Sequence, residues 1–163
     1  MLEIAAMFGK LNELEIDEFL AQEIVGRLGC YADDQVYIIP ISYGYDGTYI
    51  YAHTGAGMKL QMMRKNPEVC FQVDNMSDLA NWKSVIAWGS FEELTNEQDK
   101  EQALSALMRR NLPIITSETM RLTAQWPFAD DESNQVQGVF FRIRISKKSG
   151  RFEKRTEQYY FAS

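Results

Sequence analysis

The chain has 163 residues, with 17 lysines and arginines against 23 acidic residues (net charge −6), and is 45% hydrophobic and 25% charged. This composition fits one globular domain spanning residues 1–163, able to bury roughly two-thirds of its unfolded surface, and excludes wholesale disorder. The negative balance argues against a nucleic-acid partner, which normally calls for a basic face, and no apolar run reaches the roughly 20 residues that span a bilayer. Glu3 stands where a secretory leader would be basic, so a cytoplasmic location is expected. The two cysteines, Cys30 and Cys70, form no CxxC and read as small buried hydrophobes. With a single histidine, His-based zinc sites are excluded and no metal is expected.

In chain order, Asn12 and Glu15 have capping-box spacing, which predicts a short amphipathic helix with Leu14, Phe19 and Leu20 as its buried stripe. From Ile24 the period becomes two. Ile24, Leu28 and Cys30 share one face, Arg27 takes the other, and Asp33-Asp34 ends the strand. The run Val36–Tyr45 (VYIIPISYGY) reads as a strand, with Pro40 marking an edge or a bulge. Asp46-Gly47 is a hairpin signal leading into a strand over 48–53. Gly55 and Gly57 precede a helix over 58–65, which Asn66-Pro67 stops. Val69, Phe71 and Val73 alternate with Cys70, Gln72 and Asp74 in one strand. Trp82, Ser84, Ile86 and Trp88 alternate with Lys83, Val85 and Ala87 in the next. Thr95 and Gln98 have the spacing of a second capping box, for a helix running to Arg110 with Pro113 beyond it. Val139–Ile145 (VFFRIRI) is the last strand, expected to turn at Ser149-Gly150. About six hairpin-linked antiparallel strands with short helices packed outside describe a mainly β (α+β) fold, a small closed or partly open barrel. Neither the third glycine of a Rossmann fingerprint nor the GK[ST] of a P-loop is present.

The most informative segment for chemistry is Tyr51–Leu60 (YAHTGAGMKL). A strand ends in a glycine-containing turn that feeds a helix N-terminus, with His53 and Thr54 before it and Lys59 in its first turn. Together these could hold one phosphate, with Arg64 and Lys65 adding local positive charge. The same residues also read as a strand-end histidine, turn glycines and a solvated lysine. In the second segment, Asn81–Glu92, Trp82 and Trp88 could stack on a flat ring while Ser84 offers a short polar group, or both indoles could be core or subunit interface. Trp126-Pro127-Phe128 is a third apolar cluster, and aromatics in weakly periodic segments suggest a dimer. The acidic pairs Asp33/Asp34, Glu92/Glu93 and Asp130/Asp131 read as turn or solvated-face charges, and Met58, Met62 and Met63 as core packing. No catalytic residue can be named. A phosphate pocket and a stacking surface without acid–base groups suit a cofactor that carries its own chemistry.

On the words VGRLGCYADDQVYIIPISYGYDGTYIYAHTGAGMKLQMMRKNPEVCFQVD (Val25–Asp74) and WKSVIAWGSFEEL (Trp82–Leu94), the chain resembles the pyridoxamine 5′-phosphate oxidase-related, FMN-binding split-barrel superfamily, in its nitroimidazole-resistance-like branch. The resemblance implies a six-stranded antiparallel split β-barrel of Greek-key type, a homodimer, and FMN in the groove between subunits. By that analogy Ile39, Pro40 and Ile41 offer main-chain contacts to the isoalloxazine, and His53, Thr54 and Lys59 hold the phosphate. Trp82, Ser84 and Val85 border the ring or ribityl chain, and the second protomer covers the flavin around Trp126. Pyridoxamine oxidases carry an Arg-Lys pair where Met58-Lys59 stands and a basic C-terminal segment where this chain reads EQYYFAS. The resemblance therefore does not extend to vitamin B6 oxidation. It implies an FMN-dependent oxidoreductase that reduces a small acceptor of nitro or quinone type, with NAD(P)H as a possible donor. The other reading is a non-catalytic flavin- or haem-binding module, and a deazaflavin could replace FMN.

Overall fold

The computed structural model describes residues 5–110 and 138–156. Eight strands and three helices follow in order: β1 (Ala5–Lys10), α1 (Glu13–Gln22), β2 (Val25–Ala32), β3 (Gln35–Ser42), β4 (Gly44–Tyr45), β5 (Tyr49–Thr54), α2 (Met58–Lys65), β6 (Glu68–Asp78), β7 (Asn81–Glu93), α3 (Glu97–Met108) and β8 (Val139–Thr156). All pairings are antiparallel, in the sheet order β3-β2-β6-β7-β8-β5-β4, with β1 also on β8. This is a split-barrel α+β architecture with eight strands rather than the six expected. The additions are β1, which precedes the first periodic segment, and β4, which is cut from the Val36–Tyr45 run where Tyr43 leaves the ladder.

β8 organises the fold. Its first residues pair with β5, its length with β7, and its last residues with β1. The turn expected at Ser149-Gly150 does not form, and the strand runs straight through. The glycine serves a close approach instead: a Cβ at Gly150 would lie 2.9 Å from side-chain atoms of Leu11 and Ile16, so its bare backbone lets Leu11 and the start of α1 settle on β8. The Asp33-Asp34 turn does form, with both residues at positive φ.

The capping box of α1 forms as expected, Asn12 accepting from the Glu15 amide while Glu15 accepts from the Asn12 amide. Its buried stripe is Ile16, Phe19 and Leu20, and Leu14 is 67% exposed. Phe19 and Leu20 are buried as expected, and Ile16 takes the place expected for Leu14. For α3 the cap is Asn96, accepting from the Asp99 amide at 2.8 Å, rather than Thr95 with Gln98. In α2, Met62 and Met63 are core and Met58 is half-exposed.

The main core lies on one face of the sheet. Leu28, Ile50, Phe71, Val73, Val85, Ala87, Phe141 and Ile143 are almost fully buried there, with Leu20 and Met63 from the helices. At about 25 cal/mol per Å² such burial is the main term holding the strands together. A smaller cluster of Tyr51, Leu94, Ala103 and Ala106 packs α3 against the other side of β5. No described helix is long and apolar enough to cross a membrane.

Candidate functional site

Alternation along each strand distributes the expected site residues over the two faces of the sheet. On β5, Ile50, Ala52 and Thr54 point into the main core, while Tyr51 and His53 point the other way. His53 packs against Phe140, with ring centroids 4.7 Å apart and the planes tilted by 56°. Thr54 is buried, and its hydroxyl donates to the Gly55 carbonyl at 3.1 Å. Adjacent in sequence, the two side chains are thus separated by the strand.

Beyond Thr54 the chain turns through Gly55 and Gly57 into α2. A Cβ at either glycine would meet nothing within 4 Å, so the backbone is open to close approach at this corner. Gly57 caps α2 and has no side chain to offer, so no side-chain hydrogen bond caps this N-terminus, and no acidic residue stands in the first turn. First-turn N–H groups of a helix have no intrahelical acceptors, and the dipole makes that end positive. Lys59 lies in the same turn, half-buried, and pairs with no carboxylate among the described residues. Burial holds its ammonium below the usual lysine range, and the nearby Cys30 thiol acts on it in the opposite sense. Burial pushes the Cys30 thiol up, so that neighbour is neutral at physiological pH. An under-compensated cation, uncapped amides and open glycine backbone suit a phosphate group, so the residues here fit the ribityl-phosphate end of a flavin. Arg64 and Lys65, expected to add charge here, are engaged elsewhere, Arg64 with Glu93 and Lys65 with Asp33.

β3 occupies one end of the sheet order, which accommodates Pro40, a residue with no N–H to give to a ladder. Ile39 and Ile41 are partly buried against the main core, and Pro40 points outward. On β7, Val85 is fully buried, leaving only its backbone for an outside ligand. Trp82 and Ser84 stand on the outer face. The Trp82 indole donates to Glu153 at 3.2 Å and meets Phe8 edge-on at 6.1 Å between centroids. Trp88 lies further along that face, with the Lys147 ammonium 5.2 Å from its ring centroid. Beside it a shallow groove of about 410 Å³ runs between Val36, Ile38, Cys70 and Trp88. Val36 and Ile38 are 66% and 65% exposed, so this face is apolar and open.

Of the nine expected residues, Ile39, Ile41, Thr54 and Val85 therefore face the core, and Pro40, Trp82 and Ser84 share the outer face. Lys59 heads α2, and His53 sits on the α3 side. Trp126 and Asp130/Asp131 lie outside the described residues. The sequence reading missed a hydrogen-bonded line crossing the outer face. Arg27 Nη1 donates to Asp74 at 2.7 Å and to Gln72 Oε1 at 3.4 Å, and Gln72 Nε2 donates to Ser84 Oγ at 3.3 Å. The signal was available in the alternation that turns Arg27, Gln72, Asp74 and Ser84 to one side. Of the described acidic pairs, Asp33-Asp34 forms a turn, Glu92 accepts from Arg142 and Arg144, each at 2.6 Å, and Glu93 pairs with Arg64.

Residues 12–152 match the family model of pyridoxamine 5′-phosphate oxidase. An uncharacterised protein of Rhizobium meliloti (strain 1021) is 39% identical over 88 residues, a stretch covering 54% of this chain and 58% of that protein, so little more than half of the relative's length is matched. A FAD-binding protein of Mesorhizobium loti has a similar structure, with a TM-score of 0.69 and 32% identity over 92% of this chain and 99% of that one. A Bacteroides thetaiotaomicron protein described as a 5-nitroimidazole antibiotic resistance protein shares the fold, with a TM-score of 0.69 and 17% identity over 97% and 96% of the two chains.

Proposed function

Because the chain belongs to the pyridoxamine 5′-phosphate oxidase family, we propose that it binds a flavin between two copies of itself and serves as an oxidoreductase for a small acceptor. The observation that carries this is the β5–α2 corner, where the half-buried Lys59 ammonium stands at an uncapped helix N-terminus beside open glycine backbone. A phosphate would supply the charge this corner lacks and accept from its amides.

The ring end of the proposal rests on Pro40, Trp82 and Ser84, which lie on the other face of the sheet from Thr54 and the core side of β2. One flavin would meet both sets if the corner of one protomer faced the outer sheet of its partner. The exposed apolar surface at Val36, Ile38 and Trp88 gives a second copy something to cover. FMN is the proposed cofactor. FAD has the same ribityl phosphate and is favoured by the description of the Mesorhizobium loti relative. A bound flavin would supply the electron-accepting ring, while the chain's own residues bind, orient and shield it. Electrons would come from NAD(P)H or another donor and pass to a nitro compound or quinone. The free thiols Cys30 and Cys70 fit a reducing compartment such as the cytoplasm.

The test is the purified protein's visible spectrum, followed by anaerobic NADH or NADPH and a nitroaromatic or quinone acceptor. Flavin bands that bleach with the donor and return with the acceptor are expected. Bands that no donor bleaches would reassign the protein as a flavin carrier. A chain that neither carries nor takes up flavin refutes the proposal.

A further inference from the structure

Apart from a few charges, the outer face of β3, β2, β6 and β7 is apolar, and the line of polar groups across its middle has a defined direction. Arg27 is the cross-strand partner of Pro40 on one side and of Gln72 on the other, and Gln72 lies one strand from β7. The line therefore links two parts of the wall assigned above to the flavin ring, at Pro40 and at Ser84. A guanidinium can only donate, so the Gln72 atom that faces Arg27 at 3.4 Å must be its carbonyl oxygen. That fixes the amide: its nitrogen turns to Ser84 and donates to Oγ at 3.3 Å. Asp74 anchors the far end by accepting from the same Arg27 nitrogen at 2.7 Å.

The consequence falls on the Ser84 hydroxyl, which has one proton to donate and two lone pairs to accept with. One lone pair is taken by Gln72, so the proton points elsewhere, and among the described residues no group accepts it. We propose that Gln72, held by Arg27 and Asp74, is a positioning residue that makes the Ser84 hydroxyl a hydrogen-bond donor toward an acceptor atom of the flavin, such as a ring carbonyl or ring nitrogen. The inference rests on the flavin reading above and adds a direction to one of its contacts.

Gln72→Glu reverses the bond at nearly constant volume. A carboxylate still accepts from Arg27, but it now also accepts the Ser84 proton, and Ser84 has nothing left to donate outward. Gln72→Leu removes the amide, so the Ser84 proton stays available but nothing holds it in one direction. Flavin affinity and the position of the bound-flavin absorption bands are measured by titrating FMN into the parent, Ser84→Ala, Gln72→Glu, Gln72→Leu and the Gln72→Glu/Ser84→Ala double variant. Losing one neutral hydrogen bond should weaken FMN by roughly threefold to tenfold. Ser84→Ala and Gln72→Glu should show this loss and the same band displacement, and the double variant no further loss, while Gln72→Leu, which frees the hydroxyl to turn without reversing it, should show a smaller loss than either. A merely structural role for Gln72 would make Gln72→Leu the worst variant and would make the losses multiply. Either result, or a Gln72→Glu protein indistinguishable from the parent, overturns the inference while leaving the flavin reading intact. A parent that takes up no FMN overturns the flavin reading, and the inference with it.

Discussion

Lys59 gives two readouts of opposite sign. In the free protein its ammonium is half-buried, held below the usual lysine range by that burial, and pairs with no carboxylate among the described residues. A lowered folded pKa means that folding disfavours the charged form. This penalty is present below the folded pKa and is relieved as pH rises through it, so Lys59→Ala should not lower the melting temperature near neutrality. With FMN present the sign reverses, because among the described residues the ammonium is the one cation at a corner that otherwise offers amides and glycine backbone. A hydrogen bond to a charged group is worth about 1.5–3 kcal/mol, and each 1.36 kcal/mol is a factor of ten, so FMN affinity should fall roughly tenfold to hundredfold. Riboflavin lacks the phosphate and should bind parent and variant alike. Isothermal titration of both ligands, with melting curves of the flavin-free proteins, measures each quantity. An unchanged FMN affinity, or equal losses for FMN and riboflavin, would remove the phosphate from this corner.

Three further outcomes follow from the packing. Trp88→Glu places a charge on the outer apolar face and should leave a folded monomer by light scattering where the parent is a dimer; a monomeric parent refutes the dimer itself. Gly44→Ala puts a Cβ 2.7 Å from the Ala106 carbonyl oxygen of α3, which is backbone and cannot swing aside. Such overpacking costs about 1–3 kcal/mol, or roughly 3–10 °C in melting temperature for a chain of this size, and an unshifted melt would show that α3 can move. Burial alone would raise the Asp17 carboxyl, but hydrogen bonds from Lys148 and Tyr45, each at 2.6 Å, hold it below the ordinary carboxylate range. The stability it confers is complete above that range and is lost as pH falls through the lowered folded value. Melting curves from about pH 5 down to pH 3 should therefore drop less for Asp17→Asn than for the parent.

Most of the fold was legible because alternation and turn chemistry are local. Asn12 with Glu15, Asp46-Gly47, Asn66-Pro67 and the alternation on β6 and β7 each state their structure within a few residues. What was missed depends on distant partners. Gly150 reads as a turn until α1 is seen to need that bare spot on β8. Leu14 and Ile16 are both apolar at plausible helical positions, and only the sheet beneath decides that Ile16 is buried. Tyr43 leaves the β3 ladder because its amide donates to Ile24 and its hydroxyl to the Leu20 carbonyl, 23 residues away. For the site, the YAHTGAGMKL corner was legible as a phosphate pocket because a helix N-terminus is a local object. The division of Ser84 and Thr54 between opposite faces was not, since it depends on which side of each strand the core chooses.

That division bears on how charges on the outer face should behave. The Arg27–Asp74 pair is solvent-accessible in one protomer, with side chains 54% and 35% exposed. Pairs of this kind contribute about 0–1 kcal/mol, because water screens the attraction and ordering two long side chains offsets it. If a second copy covers this face, both charges leave water, and removing one partner strands the other at a cost of about 3–5 kcal/mol. The same substitution thus has a small or a large effect according to what lies over it. Asp74→Ala should be close to neutral in a protein dilute enough to be monomeric. It should be strongly destabilising at concentrations where the parent dimerises, since an association that favours the folded state raises melting temperature with concentration. Melting curves of parent and Asp74→Ala across a hundredfold concentration range separate the cases. Curves that diverge as concentration rises place the pair under the partner. A constant small difference at every concentration shows that Arg27 and Asp74 remain in water, and the dimer contact must then be sought on another face.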